Sequence, residues 1–139
     1  MHFTLIDSIL ERSADRIVAI KQVSLAEEYL QDHFPSFPVL PGVMMIEAMV
    51  QAARAMLPER PRLVLGEVKA LKFGNMVRPG QRLEVEVTLA KSQEDGSYLC
   101  KGSGMVRNAG EARSEGGTSA VSGRFVMRPI REQRATATN

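Results

Sequence analysis

The run Met44–Leu57 constrains this chain more than any other stretch. It reads Met-Met-Ile-Glu-Ala-Met-Val-Gln-Ala-Ala-Arg-Ala-Met-Leu, apolar at nearly every position. A helix that is apolar almost all the way round has little use for a wet face and belongs inside a domain. Pro41-Gly42 stands at its start and Pro58 just past its end, positions where those residues punctuate a helix. Only Glu47, Gln51 and Arg54 interrupt the run, and their offsets of i, i+4 and i+7 put them on one stripe. On an ordinary helix such a stripe is the solvated face. On this one, a carboxylate that is buried needs a partner or keeps its proton.

The residues before the helix form a stiff loop. Pro35, Pro38 and Pro41 fix φ at three of seven positions and disfavour helix for the residue before each. His33 heads this loop, fourteen positions before Glu47. The turn between them aims the free N–H groups of a helix start at whatever lies nearby.

The string His33-Phe34-Pro35-Ser36-Phe37-Pro38-Val39-Leu40-Pro41-Gly42-Val43, followed by Glu47-Ala48-Met49 and Gln51-Ala52, resembles the signature of the FabZ-type 3-hydroxyacyl-[acyl-carrier-protein] dehydratases. The resemblance extends to Phe3–Leu10, to Arg16–Lys21, and to Lys72-Phe73 with Val77-Arg78-Pro79-Gly80. It implies a hotdog fold, a curved antiparallel sheet wrapped around a long central helix. The implied reaction is a lyase step of fatty-acid or related lipid synthesis: (3R)-3-hydroxyacyl-carrier protein loses water to give the trans-2-enoyl thioester. The implied partner is an acidic acyl carrier protein that delivers substrate on its phosphopantetheine arm.

Such a dehydration needs a base for the C2 proton, an acid for the departing 3-hydroxyl and a donor to the thioester oxygen. It needs no metal or organic cofactor. His33 is the natural base, since imidazole titrates near neutrality. Glu47 is the natural acid. A backbone N–H of Gly42 or Val43 can meet the thioester carbonyl, with glycine permitting close approach. The family assigns these roles to the matching residues, and Gln51 is expected to orient the carboxyl group. The resemblance further implies that the histidine of one subunit works with the glutamate of its partner, in a homodimer or a hexamer built as a trimer of dimers. Phe37, Met44 and Phe73 are expected along the acyl tunnel, although Met44 and Phe73 serve equally well as core filling. Arg54, Arg60, Arg62, Arg78 and Arg82 are candidates for carrier-protein contact. The related FabA-type enzymes, which also isomerise the double bond, carry aspartate where Glu47 stands, so the resemblance favours dehydration alone.

Two alternatives stand beside this one. A hotdog thioesterase would use Glu47 to activate water, usually without the His-Phe-Pro motif. A non-catalytic acyl-binding or assembly subunit would need neither His33 nor Glu47 for chemistry.

Composition excludes other classes. With 139 residues, the chain suits one domain, 1–139, with Arg131–Asn139 as a frayed polar tail. A net charge of +2 and 5% aromatic residues give little support to a nucleic-acid surface. Glu47 and Arg54 break the one run long enough to suggest a membrane span, and no leader pattern opens the chain. A cytoplasmic location follows by default. The single cysteine, Cys100, reads as a small buried apolar residue and not as a nucleophile. No metal-ligand spacing is present.

The remaining pattern is α+β. Phe3–Glu11 reads as a short amphipathic helix or turn, Ile17–Ser24 as a strand, and Leu25–Asp32 as a helix or turn. After the central helix, strands are expected at Leu63–Phe73, Arg82–Leu89, Tyr98–Arg107 and Thr118–Arg128. Arg78–Gln81 and Glu94–Ser97 read as turns and Asn108–Gly117 as a loop. Several positions depart from the family pattern. Asp32, Ser36 and Phe37 replace the usual glycine, glycine and histidine, and Phe73–Val77 lacks the usual arginines and proline. These departures leave the catalytic trio intact and point to a specialised substrate range.

Overall fold

The computed structural model describes residues 5–23, 39–57, 62–108, 110–111 and 117–130. Six strands and one helix appear among them: β1 (Ser8–Arg12), β2 (Arg16–Gln22), α1 (Gly42–Met56), β3 (Leu63–Phe73), β4 (Gln81–Ser92), β5 (Tyr98–Asn108) and β6 (Thr118–Pro129). All pairings are antiparallel, and the sheet runs β1-β2-β4-β5-β6-β3. Among the described strands β1 and β3 are therefore the edges. Register shifts occur in four of the five pairings, and each bends its strand, so the sheet curls around the helix.

The helix forms where its residues predict it, displaced by a residue or two. Met45, Ala48, Met49, Ala52, Ala53 and Met56 are all buried, at the spacing of one helical face. This face touches β2, β4, β5, β6 and β3. Burying each methionine contributes roughly 1.5–3 kcal/mol. Ile17, Ala19, Leu83, Val85, Val87, Phe125 and Met127 answer from the sheet. Leu83, Val85 and Val87 take alternate positions of β4, the inward side of the strand whose apolar and polar residues alternate in the sequence.

The two turns form as predicted. Gln81 N–H donates to the Arg78 carbonyl at 3.0 Å around Gly80, whose φ is +91°. Gly96, at φ +90°, closes the β4–β5 hairpin, where the Gln93 N–H donates to the Ser97 carbonyl at 2.9 Å. Both positions need glycine because an L side chain is strained there. In the hairpin, the Ser97 hydroxyl and N–H hold the Asp95 carboxyl below the usual carboxylate range. That stabilisation is present above the ordinary aspartate pKa and is lost as pH falls through the depressed one.

One expectation is overturned. The first segment is not a helix: Ser8–Arg12 is a strand that pairs with β2, Ile9 facing Ala19 and Glu11 facing Val18. Ile9 and Leu10 are both exposed, so their apolar character marks no helical face. An available strand edge decided the conformation. The expected helix or turn at Leu25–Asp32, and the tail from Arg131, lie outside the described residues.

Cys100 is fully buried, and burial pushes its thiol up to about 11 from 9. The thiolate at neutral pH is therefore about a hundredfold scarcer than for a free cysteine. A thiol reagent at pH 7.5 is expected to label the native protein at least that much more slowly than the urea-unfolded chain. Comparable rates would show that Cys100 is accessible.

Candidate active site

The site is built on the first three turns of α1. Pro41 caps the helix with φ −63° and ψ 147°, without a side-chain hydrogen bond. Its carbonyl accepts from Met44 N–H at 3.0 Å and Met45 N–H at 3.3 Å. The N–H groups of Gly42 and Val43 have no acceptor among the described residues, so two donors remain at the positive end of the helix dipole. Leu40 N–H donates to the Val77 carbonyl at 2.8 Å, which brings the segment after β3 alongside the residues leading into the helix.

Gly42 leaves room for the Phe73 ring at the helix start. A Cβ there would lie 2.9 Å from the Cε1 and Cζ of Phe73. The Phe73 ring thus covers the helix start, which brings two of the sequence candidates into contact. Val43, Phe73 and Met76 are 67%, 53% and 55% exposed, leaving large apolar groups on the surface around the two free donors. Met44 is half-buried against the core.

Further along the same helix, Glu47 and Gln51 are linked. Gln51 Nε2 donates to Glu47 Oε2 at 3.1 Å, and Gln51 Oε1 accepts from the Leu5 N–H at 2.8 Å. The second contact fixes the amide orientation, because a backbone N–H needs an oxygen opposite it. Gln51 therefore carries an anchor from the segment before β1 to one oxygen of the carboxyl group. Among the described residues Glu47 Oε1 has no partner. The stripe read from the sequence is thus a connected set. It is not sealed from water by this chain alone, since the Glu47 side chain is 42% exposed.

Arg54 completes the stripe. Its Nε donates to the Leu63 carbonyl at 2.9 Å, tying α1 to the start of β3, while its Nη1 lies 3.9 Å from Glu47 Oε2. Both charges are about half exposed, so water screens the pair. Arg82 is likewise engaged, donating to the carbonyls of Asn108 and Glu111 and holding the chain after β5. Both arginines serve the fold first. Arg62 and Arg78 are exposed. His33, Phe37 and Arg60, with the departures Asp32 and Ser36, lie outside the described residues.

Sequence reasoning missed one buried ion pair. Arg107 Nε donates to Glu84 Oε1 at 3.1 Å, with both side chains less than a tenth exposed. Each residue reads in the sequence as the polar half of an alternating strand, and only the diagonal register of β4 and β5 brings them together. Among the described residues no group of three or more His, Cys, Asp or Glu side chains gathers as a metal site, and no helix is long and apolar enough to cross a membrane.

Residues 10–110 match the ApeI-like family, described as ApeI dehydratase. The chain belongs to this family. It is also 41% identical over 97 residues to the 3-hydroxyacyl-[acyl-carrier-protein] dehydratase FabZ of Oenococcus oeni, covering 66% of this chain and 70% of that protein. Against the same enzyme of Solibacter usitatus it is 41% identical over 95 residues, covering 64% of this chain. There the chain spans 59% of the relative's length, less than two thirds. Among solved structures, the dehydratase heterocomplex ApeI:P from Xenorhabdus doucetiae superposes with a TM-score of 0.70 at 16% identity, over 91% of this chain and 99% of that one. At that identity the likeness speaks for the fold, and the fold is the hotdog expected from the sequence. The FabZ-type resemblance and the dehydratase class are borne out by the family and by these relatives.

Proposed function

We propose that this ApeI-like dehydratase removes water from a 3-hydroxyacyl thioester carried on acyl carrier protein, with Glu47 and His33 as the proton-transfer pair. The observation that carries this is the Glu47–Gln51–Leu5 chain, on the same helix whose first two N–H groups lack acceptors. A thioester oxygen at the helix start would accept from the Gly42 or Val43 N–H, which stabilises the charge that grows there as C2 loses its proton. The C2 proton passes to the His33 imidazole. The C3–O bond breaks while Glu47 Oε1 gives its proton to the leaving hydroxyl, so that water departs and the C2–C3 double bond forms. Gln51 holds Oε2 and leaves Oε1 to the substrate.

The exposed apolar surface of Val43, Phe73 and Met76 supports a second part of the reading. A helix start that binds an acyl thioester needs a dry wall, and one chain leaves this one open. Among the described residues no strand pairs with the outer edge of β3. Pairing of two copies through β3 would extend the sheet, cover that edge and bring a partner's loop over the site. The active species is on this reading a dimer.

The test is product analysis. Full-length protein is incubated with a short and a long 3-hydroxyacyl carrier-protein thioester, and the products are weighed by mass spectrometry. Loss of 18 mass units (about one water) with the thioester intact is the expected result. Release of free acid would replace the dehydratase with a thioesterase. Unchanged substrate in the presence of folded protein would leave a binding subunit.

A further inference from the structure

The face of the sheet turned away from α1 carries an unbalanced cationic cleft. The inward residues of β5 and β6 are Cys100 and Phe125, a cross-strand pair in the core, so Lys101 and Arg124 point outward. They face each other directly, and Arg124 also faces Lys69 of β3. Three cations thus stand side by side across three strands, an arrangement that destabilises a sheet. In the next row Lys72, Ser122 and Ser103 are aligned in the same way.

Lys72 is on this face only because β3 is distorted. Lys69 and Lys72 are three residues apart and would point to opposite faces of a regular strand. A bulge between them pairs Lys69 with Arg124 and Lys72 with Ser122, two residues apart on β6, so both lysines face outward. The bulge holds Ala70 at φ +49°, a conformation alanine adopts only under strain. It leans on Gly123, where a Cβ would meet Leu71 Cα at 3.0 Å. Strained backbone and opposed like charges therefore converge on one place.

That place is a cleft of about 580 Å³ lined by Lys72, Lys101 and Arg124, with the hydroxyl-bearing residues Thr88, Ser103 and Ser122 around them. The one carboxylate on its wall, Glu86, accepts from Arg16 Nε at 2.6 Å and is neutralised there. None of the three cations has a carboxylate partner among the described residues. Pairing of copies edge to edge through β3, as proposed above, would extend the sheet in its own plane and would not of itself cover this face.

We propose that the cleft binds a phosphorylated small molecule, its phosphate oxygens held by Lys72, Lys101 and Arg124 and by the neighbouring hydroxyls. A volume of about 580 Å³, with three cations and three hydroxyl-bearing residues on its wall, suits a ligand of mononucleotide size. The site is separate from the one that carries Glu47, which lies on the helix side of the sheet, and a bound phosphate would relieve the repulsion between Lys101 and Arg124.

Calorimetric titration of the full chain with inorganic pyrophosphate and with ADP at low salt tests this. Binding to wild type is expected, weakened at least about tenfold in Lys101→Gln/Arg124→Gln and unaltered in Lys91→Gln, which removes a charge from the end of β4. Without ligand, the double variant is expected to unfold at a temperature roughly 2–4 °C higher than wild type, since opposed cations have been removed. This readout also establishes that the variant folds. Equal titration of wild type and double variant, or no titration of wild type, would overturn the proposal. So would binding of unmodified acidic carrier protein alone, abolished in the double variant, which would make the face a protein dock. A changed oligomeric state in the double variant would likewise refute it, by assigning the face to contacts between copies.

Discussion

Glu47→Gln is expected to slow dehydration about 10²–10⁴-fold while leaving the fold intact. Glutamine has the shape of glutamate and loses only the proton that the reaction needs. The site tells which way its amide turns. Gln51 Nε2 donates to the oxygen it faces, so the new carbonyl takes the place of Glu47 Oε2 and the new NH₂ points to the substrate side. Geometry is kept and acidity is lost, and the deficit belongs in kcat, with KM nearly unchanged. Because the side chain is 42% exposed, the change leaves little unsatisfied inside the protein. His33→Ala is expected to match it in size, and the double variant to be scarcely slower than either alone, as for residues that act as one unit. A Glu47→Gln enzyme that kept more than about a tenth of wild-type turnover would remove Glu47 from the proton-transfer role.

The parts of this fold that could be read from the sequence share one property: their signal is local. The central helix announced itself by composition and by Pro41-Gly42, and it runs Gly42–Met56. β3 begins and ends at the expected residues, Leu63 and Phe73, set off by the proline-rich stretch before it. The Glu47–Gln51 contact follows from i, i+4 spacing alone. What escaped depends on register between distant segments. Ser8–Arg12 is a strand because β2 offers it an edge, and nothing in its own pattern says so. The Leu5 N–H that anchors Gln51 is 46 residues away in sequence. Glu84 and Arg107 meet across a hairpin, and Lys72 changes face through a bulge that leaves no mark in the sequence. Arg54 and Arg82 illustrate the same limit. The sequence makes each a candidate for carrier-protein contact, and each donates to backbone carbonyls that only the fold brings near.

Gly102→Val is expected to give the largest loss of stability, about 3 kcal/mol, lowering Tm by roughly 10 °C in thermal unfolding. Gly102 lies on the inward side of β5, opposite Val87 and Gly123. A Cβ there would lie 2.7 Å from the sulfur of Met49 and 3.1 Å from Phe125 Cε1, and both of those side chains are buried. The helix thus rests on the sheet where β5 has no side chain. Valine suits a strand better than glycine does, by up to about 1 kcal/mol, but that gain is small against two core contacts closer than van der Waals packing permits. A companion variant separates this collision from a loss of backbone freedom. Met49→Ala alone leaves a cavity, at a cost of about 2–5 kcal/mol, whereas Gly102→Ala with Met49→Ala refills part of it, so the double change should cost clearly less than the sum of the two singles. Additive costs would show that Met49 and Gly102 do not press on each other. The same contact bears on chemistry. Met49 is two residues beyond Glu47 on the same helix, and lifting that helix from β5 moves the carboxyl and the helix-start donors together relative to the Leu5 N–H that anchors Gln51. The folded fraction of Gly102→Val should therefore turn over more slowly than wild type, since a displacement of about 1 Å at a positioned group costs up to a hundredfold.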